Sequence, residues 1–492
     1  MLGILAALAF AARVVFLLGI RRPPVRRHGM PSHTKFRIGS NTFNNMNLPT
    51  SWQAAKISQI IDDIVGGGTP SKTNPENFKG NIPFMTVKDM RGRFITNTID
   101  KISKDALQNS TTKLVPPDTL VIATRMALGK IAKTTQATAI NQDIKAIYPS
   151  NGVEKRYIEH FWRYRAQYIE SIGTGTTVKG IRLEDIRSIS IPVAPSNEQR
   201  RIADKLDRVL ARVDTANEHL SRAAPLIKRF RQSVLSAATS GRLTEDWRKN
   251  KLQEWKFERA DAICAKVQSG GTPKAGFSPQ GTPFLKVYNI VNQRIDFDYK
   301  PQFIAQEVHE GELKKSITLP DDVLMNIVGP PLGKVAIVSS ASPSWNINQA
   351  ITLFRPSERI LSKWIYIVLC EGAPIRDVLK STKGSVGQVN ISLSQCRAFS
   401  VPVPSIDEQT EIVRRVEKLF AFADRLEKRL TQAQAAVQKL TPALLAKAFR
   451  GELVPQDPND EPASELLKRL QKSRTDSSKP SRARKPRTRK SP

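Results

Sequence analysis

Cysteine and histidine are scarce in this chain of 492 residues, and neither occurs at a spacing that metal or redox chemistry uses. The three cysteines (Cys264, Cys370, Cys396) are odd in number and never form a CxxC pair. That excludes a disulfide framework and a thiolate zinc cluster, and fits a reducing, cytoplasmic setting. The five histidines (His28, His33, His160, His219, His309) show neither HExxH nor HxxxH spacing, so no metal site is expected. Acid is short as well: 45 Asp and Glu face 77 Lys and Arg, a net charge of +32. An excess of that size suits a polyanionic partner, nucleic acid first.

Long apolar runs are missing except at the start, where MLGILAALAFAARVVFLLGI is split by Arg13. No basic residue precedes it, as a secretory peptide requires. As a spanning helix it is borderline, because about 20 apolar residues are needed and a central Arg costs about 2.5 to 3.5 kcal/mol. Residues 1–45 are read as a non-native or flexible extension, with Met46 opening the first domain; a genuine anchor is the other reading. The two ends, 1–45 and 471–492, carry +7 and +8, which leaves +17 on the remainder, enough for a phosphate-binding footprint.

At about 150 residues per domain the chain holds about three units, and an internal repeat organises them. Trp52 stands sixteen residues before Gly68 of GGTP, and Trp255 sixteen before Gly271 of a second GGTP. IPFMTVKD (82–89) answers TPFLKVYN (282–289), and VPPDTLVIATRMALGKIA (115–132) answers LPDDVLMNIVGPPLGKVA (319–336). Ile140-Asn141-Gln142 matches Ile347-Asn348-Gln349, and IPVAPSNEQ (191–199) matches VPVPSIDEQ (401–409). Copies of roughly 200 residues are too long for solenoid units, so each is a domain plus a connector.

After each Glu-Gln, apolar residues step by four and three, the seam of a coiled coil. The first seam runs Ile202, Leu206, Val209, Val213, Ala216, Leu220, Ala223, Ile227, Phe230, Val234, Ala237. The second runs Ile412, Val416, Leu419, Ala423, Leu426, Leu430, Ala433, Val437, Leu440, Leu444. Asn197 and Asp407 are the expected N-caps, Gly241 and Gly451 the expected stops, and Pro225 and Pro442 the expected kinks. The two seams are expected to face each other, antiparallel, giving the chain a pseudo-two-fold axis. At about 1.5 Å per residue the first is roughly 54 Å long, a spacer of about 16 base pairs; ordinary packing or a homodimer zipper is the alternative.

Short apolar runs at Thr119–Thr124, Ile144–Tyr148, Val323–Val328 and Ile351–Phe354 read as strands, and Val153–Ser171 as a helix. The alternation is too irregular for a doubly wound sheet, so the fold class is α+β. The expected plan is a globular domain over 46–196, a spacer helix over 197–242, a second domain over 243–407, a second spacer helix over 408–450, and a C-terminal segment with a basic tail over 451–492.

Catalytic motifs fail inspection. Gly66 to Thr73 is not a Walker A loop, since Lys72 follows Ser71 and Pro70 removes an N–H that a phosphate cradle would use. Gly173-Thr174-Gly175 with Gly180 misses the dinucleotide spacing. Asp118, Asp143 and Lys145 have the composition of a metal-dependent nuclease core, yet the second copy offers Asp321 and then Ala350 and Thr352. No Asn/Asp-Pro-Pro-Tyr/Phe tetrapeptide of an amino-methyltransferase occurs.

What remains is recognition: lysines for phosphate, and amides able to pair with an adenine edge. The candidate DNA contacts are Thr69, Ser71, Lys72, Lys88, Arg91, Arg93, Arg125, Lys130, Gln142, Thr176 and Lys179 in the first copy. In the second they are Thr272, Lys274, Lys286, Tyr288, Asn292, Arg294, Lys334, Gln349, Ser385 and Gln388. A turn amide bonded to backbone is the competing reading of the Asn-Gln pairs.

Taken in order, the Trp before Gly-Thr-Pro, PF-x-x-V, LGK-[IV]-A, I-N-Q, [IV]-P-V-x-x-x-x-E-Q and a long helix ending in G-x-L, all twice, resemble the specificity subunit of a type I DNA restriction-modification system over about residues 46–468. Gly241-Arg242-Leu243-Thr244 with Trp247, and Pro455-Gln456-Asp457-Pro458 with Glu461-Pro462-Ala463, are similar to that family's junctions. The resemblance implies two target recognition domains, each reading half of a split sequence in double-stranded DNA, with the helices setting the gap and docking two modification subunits. Restriction subunits then join. Methyl donor and ATP would be bound by those partners, so this chain needs no cofactor and is not itself an enzyme. Two rivals stay open: a single-chain Mg-dependent nuclease or methyltransferase, and a membrane-tethered coiled-coil adaptor using residues 1–20.

Overall fold

The computed structural model describes residues 48–248, 254–340, 344–381 and 390–477. The apolar extension, most of the basic tail, Ser385 and Gln388 lie outside the described residues. Two compact units result, residues 48–220 with 433–477 and residues 221–432, called below the first and second unit.

Pro, Gly and Asp cut the apolar runs of the first unit into short strands. Five form one sheet in the order Ile61–Gly66, Ile144–Pro149, Leu120–Ala123, Ile131–Thr134, Phe94–Ile95, antiparallel except for the last pair. A second sheet orders Asp100–Ile102, Ile82–Met85, Thr138–Ile140 and Lys113–Val115, with Phe84 opposite Ala139 in a parallel pair. Leu120–Ala123 is buried at all four positions, as its unbroken apolar run requires of a strand covered on both faces. Against the unit's core lies the helix Lys155–Tyr164, which buries Tyr157, Ile158, Phe161 and Trp162 at helical spacing.

The second unit repeats this plan with its own residues. Cys264–Ser269, Ile351–Pro356, Val323–Asn326 and Val335–Ile337 form its antiparallel sheet. Phe303–Ile304, Thr282–Leu285 and Asn346–Ile347 form the smaller one, again with a parallel pair, Phe284 opposite Asn346. The helix Ser362–Glu371 takes the place of Lys155–Tyr164. This is the α+β class expected.

Each long helix runs for 44 residues, Ser196–Thr239 and Ile406–Phe449, and each continues through its proline. Both start one residue before the expected caps. Ser405 Oγ accepts the Glu408 N–H at 3.3 Å, so Asp407 sits inside the first turn, where its charge meets the helix dipole. Asn197 likewise lies within the first helix, its side chain turned to Asp460. Both stops are as expected: Gly241 and Gly451 each take φ +76°, the left-handed position that ends a helix cheaply in glycine. The helix expected over Val153–Ser171 is two, Lys155–Tyr164 and Ala166–Ser171. Arg165 breaks them at ψ 4°, with its guanidinium 3.9 Å from the centre of the Tyr168 ring.

Ile202, Leu206, Val213, Leu220, Ile227 and Val437 are at most 1 % exposed; Phe230 and Leu419 are only partly buried. In the second unit the helices run antiparallel. Arg231 pairs with Asp424 (2.5 Å) and Glu427 (3.1 Å), while farther along the chain Leu243 O and Asp246 meet Arg415 at 2.9 and 2.6 Å.

One brace seats each domain on its helix start. Trp52 Nε1 donates to Glu198 at 2.9 Å, and Trp255 Nε1 to Glu408 at 2.9 Å. The neighbouring glutamine binds backbone on both sides: Gln199 accepts from Glu154 N and donates to Ala194 O, while Gln409 accepts from Leu361 N and donates to Pro404 O. The second oxygen of each glutamate takes a further donor. For Glu408 it is Thr244, three residues past the glycine that stops its unit's first helix, and for Glu198 it is Gln456, from the segment after the second helix. That segment also gives Ala463 N to Ser51 O at 2.9 Å and Arg474 to the Ser58 and Ile61 carbonyls at 2.7 Å each.

Candidate nucleic-acid interface

The two most repeated motifs meet at one end of each unit's sheets. Gly68 N donates to Ile140 O, and Gly271 N to Ile347 O, both at 3.2 Å. The preceding glycines press onto the same carbonyls: a Cβ on Gly67 or Gly270 would lie 2.0 Å from Ile140 O or Ile347 O. Only glycine fits so close an approach. Thr69 Oγ1 then donates to Gln142 Oε1, and Thr272 Oγ1 to Gln349 Oε1 at 2.6 Å. Gly-Thr-Pro and Ile-Asn-Gln are thus halves of one turn, exposed at its tip.

Around this turn in the first unit, Thr124 N donates to Asp143 O at 2.8 Å and carries Arg125 to the surface. Arg125 is 4.0 Å from Asp143, with 64 % of its side chain exposed. Lys145 donates to Gln142 O at 3.1 Å, and burial, joined by the nearby Arg125 charge, lowers its pKa against the pull of Asp143. Across from Arg125, the loop Thr174 to Gly180 closes on itself (2.9 and 2.8 Å) and carries Thr176 and Lys179, both exposed. Ser71, Lys72, Lys88 and Arg91 are exposed nearby in sequence, Ser71 bonded to Thr73 and Arg91 to Lys88 O.

Other predicted contacts are engaged within the fold. Lys130 Nζ donates to Met90 O at 3.1 Å, and its counterpart Lys334 to Val287 O at 3.3 Å, so both lysines tie down the turn after the PF-x-x-V strand. Arg93 is paired with Glu159 and, at 2.6 Å, with Asp207. In the second unit Lys286 lies 4.3 Å over the Phe277 ring, Tyr288 donates to Lys300 O, and Lys274 N meets Glu312. Asn292 and Gln293 form the two-residue turn of a hairpin, both at positive φ, which lifts Asn292 and Arg294 into solvent. Sequence reasoning passed over Met126, which stands 62 % exposed beside Arg125.

The carboxylates considered for catalysis do not converge. Asp118 precedes the strand Leu120–Ala123 and is held by Lys133 (2.8 Å) and Lys155 (2.6 Å), which lower its pKa. Asp143 sits at that strand's other end, taking Asn141 Nδ2 at 3.2 Å. Burial pushes the thiols of Cys264, Cys370 and Cys396 up to about 12, far from a reactive thiolate. Among the described residues, no three His, Cys, Asp or Glu side chains are grouped to hold a metal ion, and no helix is long and apolar enough to cross a membrane.

A family model described as type I restriction modification DNA specificity domain matches residues 49–223 and again 253–434. The chain is 28 % identical over 431 residues to the type I restriction enzyme EcoKI specificity subunit of Escherichia coli (strain K12), which spans 83 % of this chain and 90 % of that one. It is 29 % identical over 432 residues to the StySPI specificity subunit of Salmonella potsdam, 84 % and 91 % of the two chains. Among solved structures, a chain from work on complex assembly and conformational transition of the type I R-M system superposes with TM-score 0.62 at 17 % identity, covering 82 % of this chain and 99 % of its own. The HsdS subunit from Thermoanaerobacter tengcongensis gives 0.56 at 17 % identity, 83 % and 99 %. These two likenesses speak to the fold.

Proposed function

This chain belongs to the type I restriction modification DNA specificity family, and from that premise we infer that it is the DNA-reading subunit of a type I restriction-modification complex, with cleavage and methylation carried by its partners. It binds double-stranded DNA, each unit reads one half of a bipartite target, and the long helices set the gap and dock two modification subunits, which restriction subunits join. It works in the cytoplasm, where its unpaired cysteines stay reduced.

The observation that carries this reading is the turn built twice from Gly-Thr-Pro and Ile-Asn-Gln, with the same hydrogen bonds in both units and different side chains around it. One scaffold with two sets of surface groups is what two unlike half-sites demand. The exposed groups are its DNA contacts: Ser71, Lys72, Lys88, Arg91, Arg125, Thr176 and Lys179 in the first unit, and Lys274, Asn292 and Arg294 in the second. Arg93, Lys130 and Lys334 position the scaffold instead.

Methylome sequencing of cells that carry the chain with its modification subunit tests this. A split motif with a fixed gap is expected, and exchange of residues 49–196 for the matching domain of a related subunit should change one half of it only. Change in both halves refutes separate readers; cleavage or methyl transfer by the purified chain alone refutes delegation.

A further inference from the structure

Six non-glycine residues among those described take a left-handed φ: Asp118, Met126, Asn292, Gln293, Lys300 and Asp321. Asp118 and Asp321 are the same turn in the two units, and Asp and Asn tolerate this region through their short polar side chains. Asn292 and Gln293 belong to a hairpin turn that requires it. Met126, at φ +62°, is the one apolar residue of the six.

The second unit shows what this turn normally takes. Thr124 accepts from Ile181 N at 3.0 Å, as Ile327 does from Ile391 N at 2.8 Å, and Arg125 bridges to Gly180 as Val328 does to Asn390. The residue that follows is Met126 in one unit and Gly329, at φ +84°, in the other. Glycine makes the turn without a side chain, so the strained Met126 is not needed to close it. Nor does it pack: at 62 % exposure it projects outward, while its N–H is pinned to Lys179 O at 3.1 Å. Arg125 precedes it in the chain and Lys179 is joined to it through that backbone bond, so a solvent-directed apolar group has two exposed cationic residues for neighbours.

We propose that Met126 is a specificity-determining residue of the first unit, packing on the C5 methyl of a thymine in one half-site while Arg125 and Lys179 hold neighbouring phosphates. That methyl is the apolar group a base presents in the major groove, and a flexible thioether adapts to it. The second unit, with Gly329, makes no such contact. The inference rests on the DNA-reading function proposed above.

The test uses the full chain with its modification subunit and a duplex carrying the mapped target. First, deoxyuridine replaces each thymine of that half-site in turn, removing the methyl alone. One replacement should weaken binding by the wild-type complex about fivefold. Met126→Gly should weaken binding to the intact target by a similar factor, leave binding to unrelated duplex unchanged, and raise or preserve Tm. The deoxyuridine penalty should vanish in Met126→Gly and persist in Met126→Leu. The proposal is overturned if no replacement costs the wild type anything, if the penalty survives in Met126→Gly, or if Met126→Gly lowers Tm with target affinity intact. A wild-type complex that binds target and unrelated duplex equally would instead sink the DNA-reading function itself.

Discussion

Where the short domain helix faces the start of its long helix, the two units solve one junction in opposite ways. The first unit fills it with charge: Arg93 lies between Glu159 and Asp207, His160 Nε2 is 3.0 Å from Asp207, and Arg156 reaches Asp204 at 2.7 Å. At the corresponding place the second unit has Gln293, Tyr366 and Glu417. Tyr366 donates to Gln293 O at 3.3 Å, Lys363 pairs with Glu417 at 2.6 Å, and a cleft of about 1230 Å³ stays open with Arg231, Arg294 and Phe420 among its walls. Both units keep the Trp–Glu brace and the Gly-Thr-Pro turn. The two copies thus share the brace and the turn and differ in the filling of this junction.

A charge in the buried seam should do the most damage and erase the difference between units. Leu206→Asp and Leu426→Asp each place a carboxylate at a buried apolar position, costing more than about 3 kcal/mol; urea unfolding of either that matched wild type would show the seam carries little. Next in size, Arg93→Ala leaves the fully buried Glu159 side chain unpaired, an expected loss of about 3 to 5 kcal/mol, whereas Lys363→Ala at the open junction breaks only a solvent-exposed pair with Glu417 and should cost under about 1 kcal/mol. Equal losses in the two variants would dissolve the contrast.

Acid should separate the units more gently. Burial alone would raise the Asp207 carboxyl, but hydrogen bonds and ion pairs with His160 and Arg93 hold it well below the usual range. A group whose folded pKa is depressed adds stability that is full above its unfolded value, near 4, and is lost as pH falls through the folded value. Stability should therefore decline below about pH 4, and Asp207→Asn should flatten that decline. The second unit's Glu411 is drawn down to about 2 by Arg414 and Arg415 on the helix surface, where solvent screens the largely exposed Arg414, so Glu411→Gln should flatten it less. Smallest of all, Gln142→Ala and Gln349→Ala remove exposed turn bonds and should shift stability by under about 1 kcal/mol each, yet each should weaken recognition of one half-site only, as binding to half-site variants would reveal.

Much of the plan was legible because the repeat doubled every weak signal. The strands around Leu120–Ala123 and Val323–Asn326, the α+β class and the glycine stops all follow from local pattern. Less local facts stayed hidden. The Glu-Gln pair was visible as a motif, but its indole partners lie 146 and 153 residues away, and spacing says nothing of that bond. Arg93 looked like a free cation because its acids arrive from two later helices. Met126 went unseen because an ungapped pairing of the copies sets it against Pro330, and only the matched left-handed turns bring Gly329 opposite.

The segment after the second helix gives the first unit a peculiar schedule. Ser51 meets Gln456, 405 residues away, and Ser58 meets Arg474, 416 away, so the domain translated earlier is finished by residues translated after the other domain is whole. Contacts of such high order form slowly, since a long loop must close first. Chain order alone favours the amino-terminal domain during synthesis, yet here the second unit has all its residues once Gln432 is made while the first still lacks Gln456 and Arg474, so a chain cut short before Gln456 would hold everything for one half but not for the other.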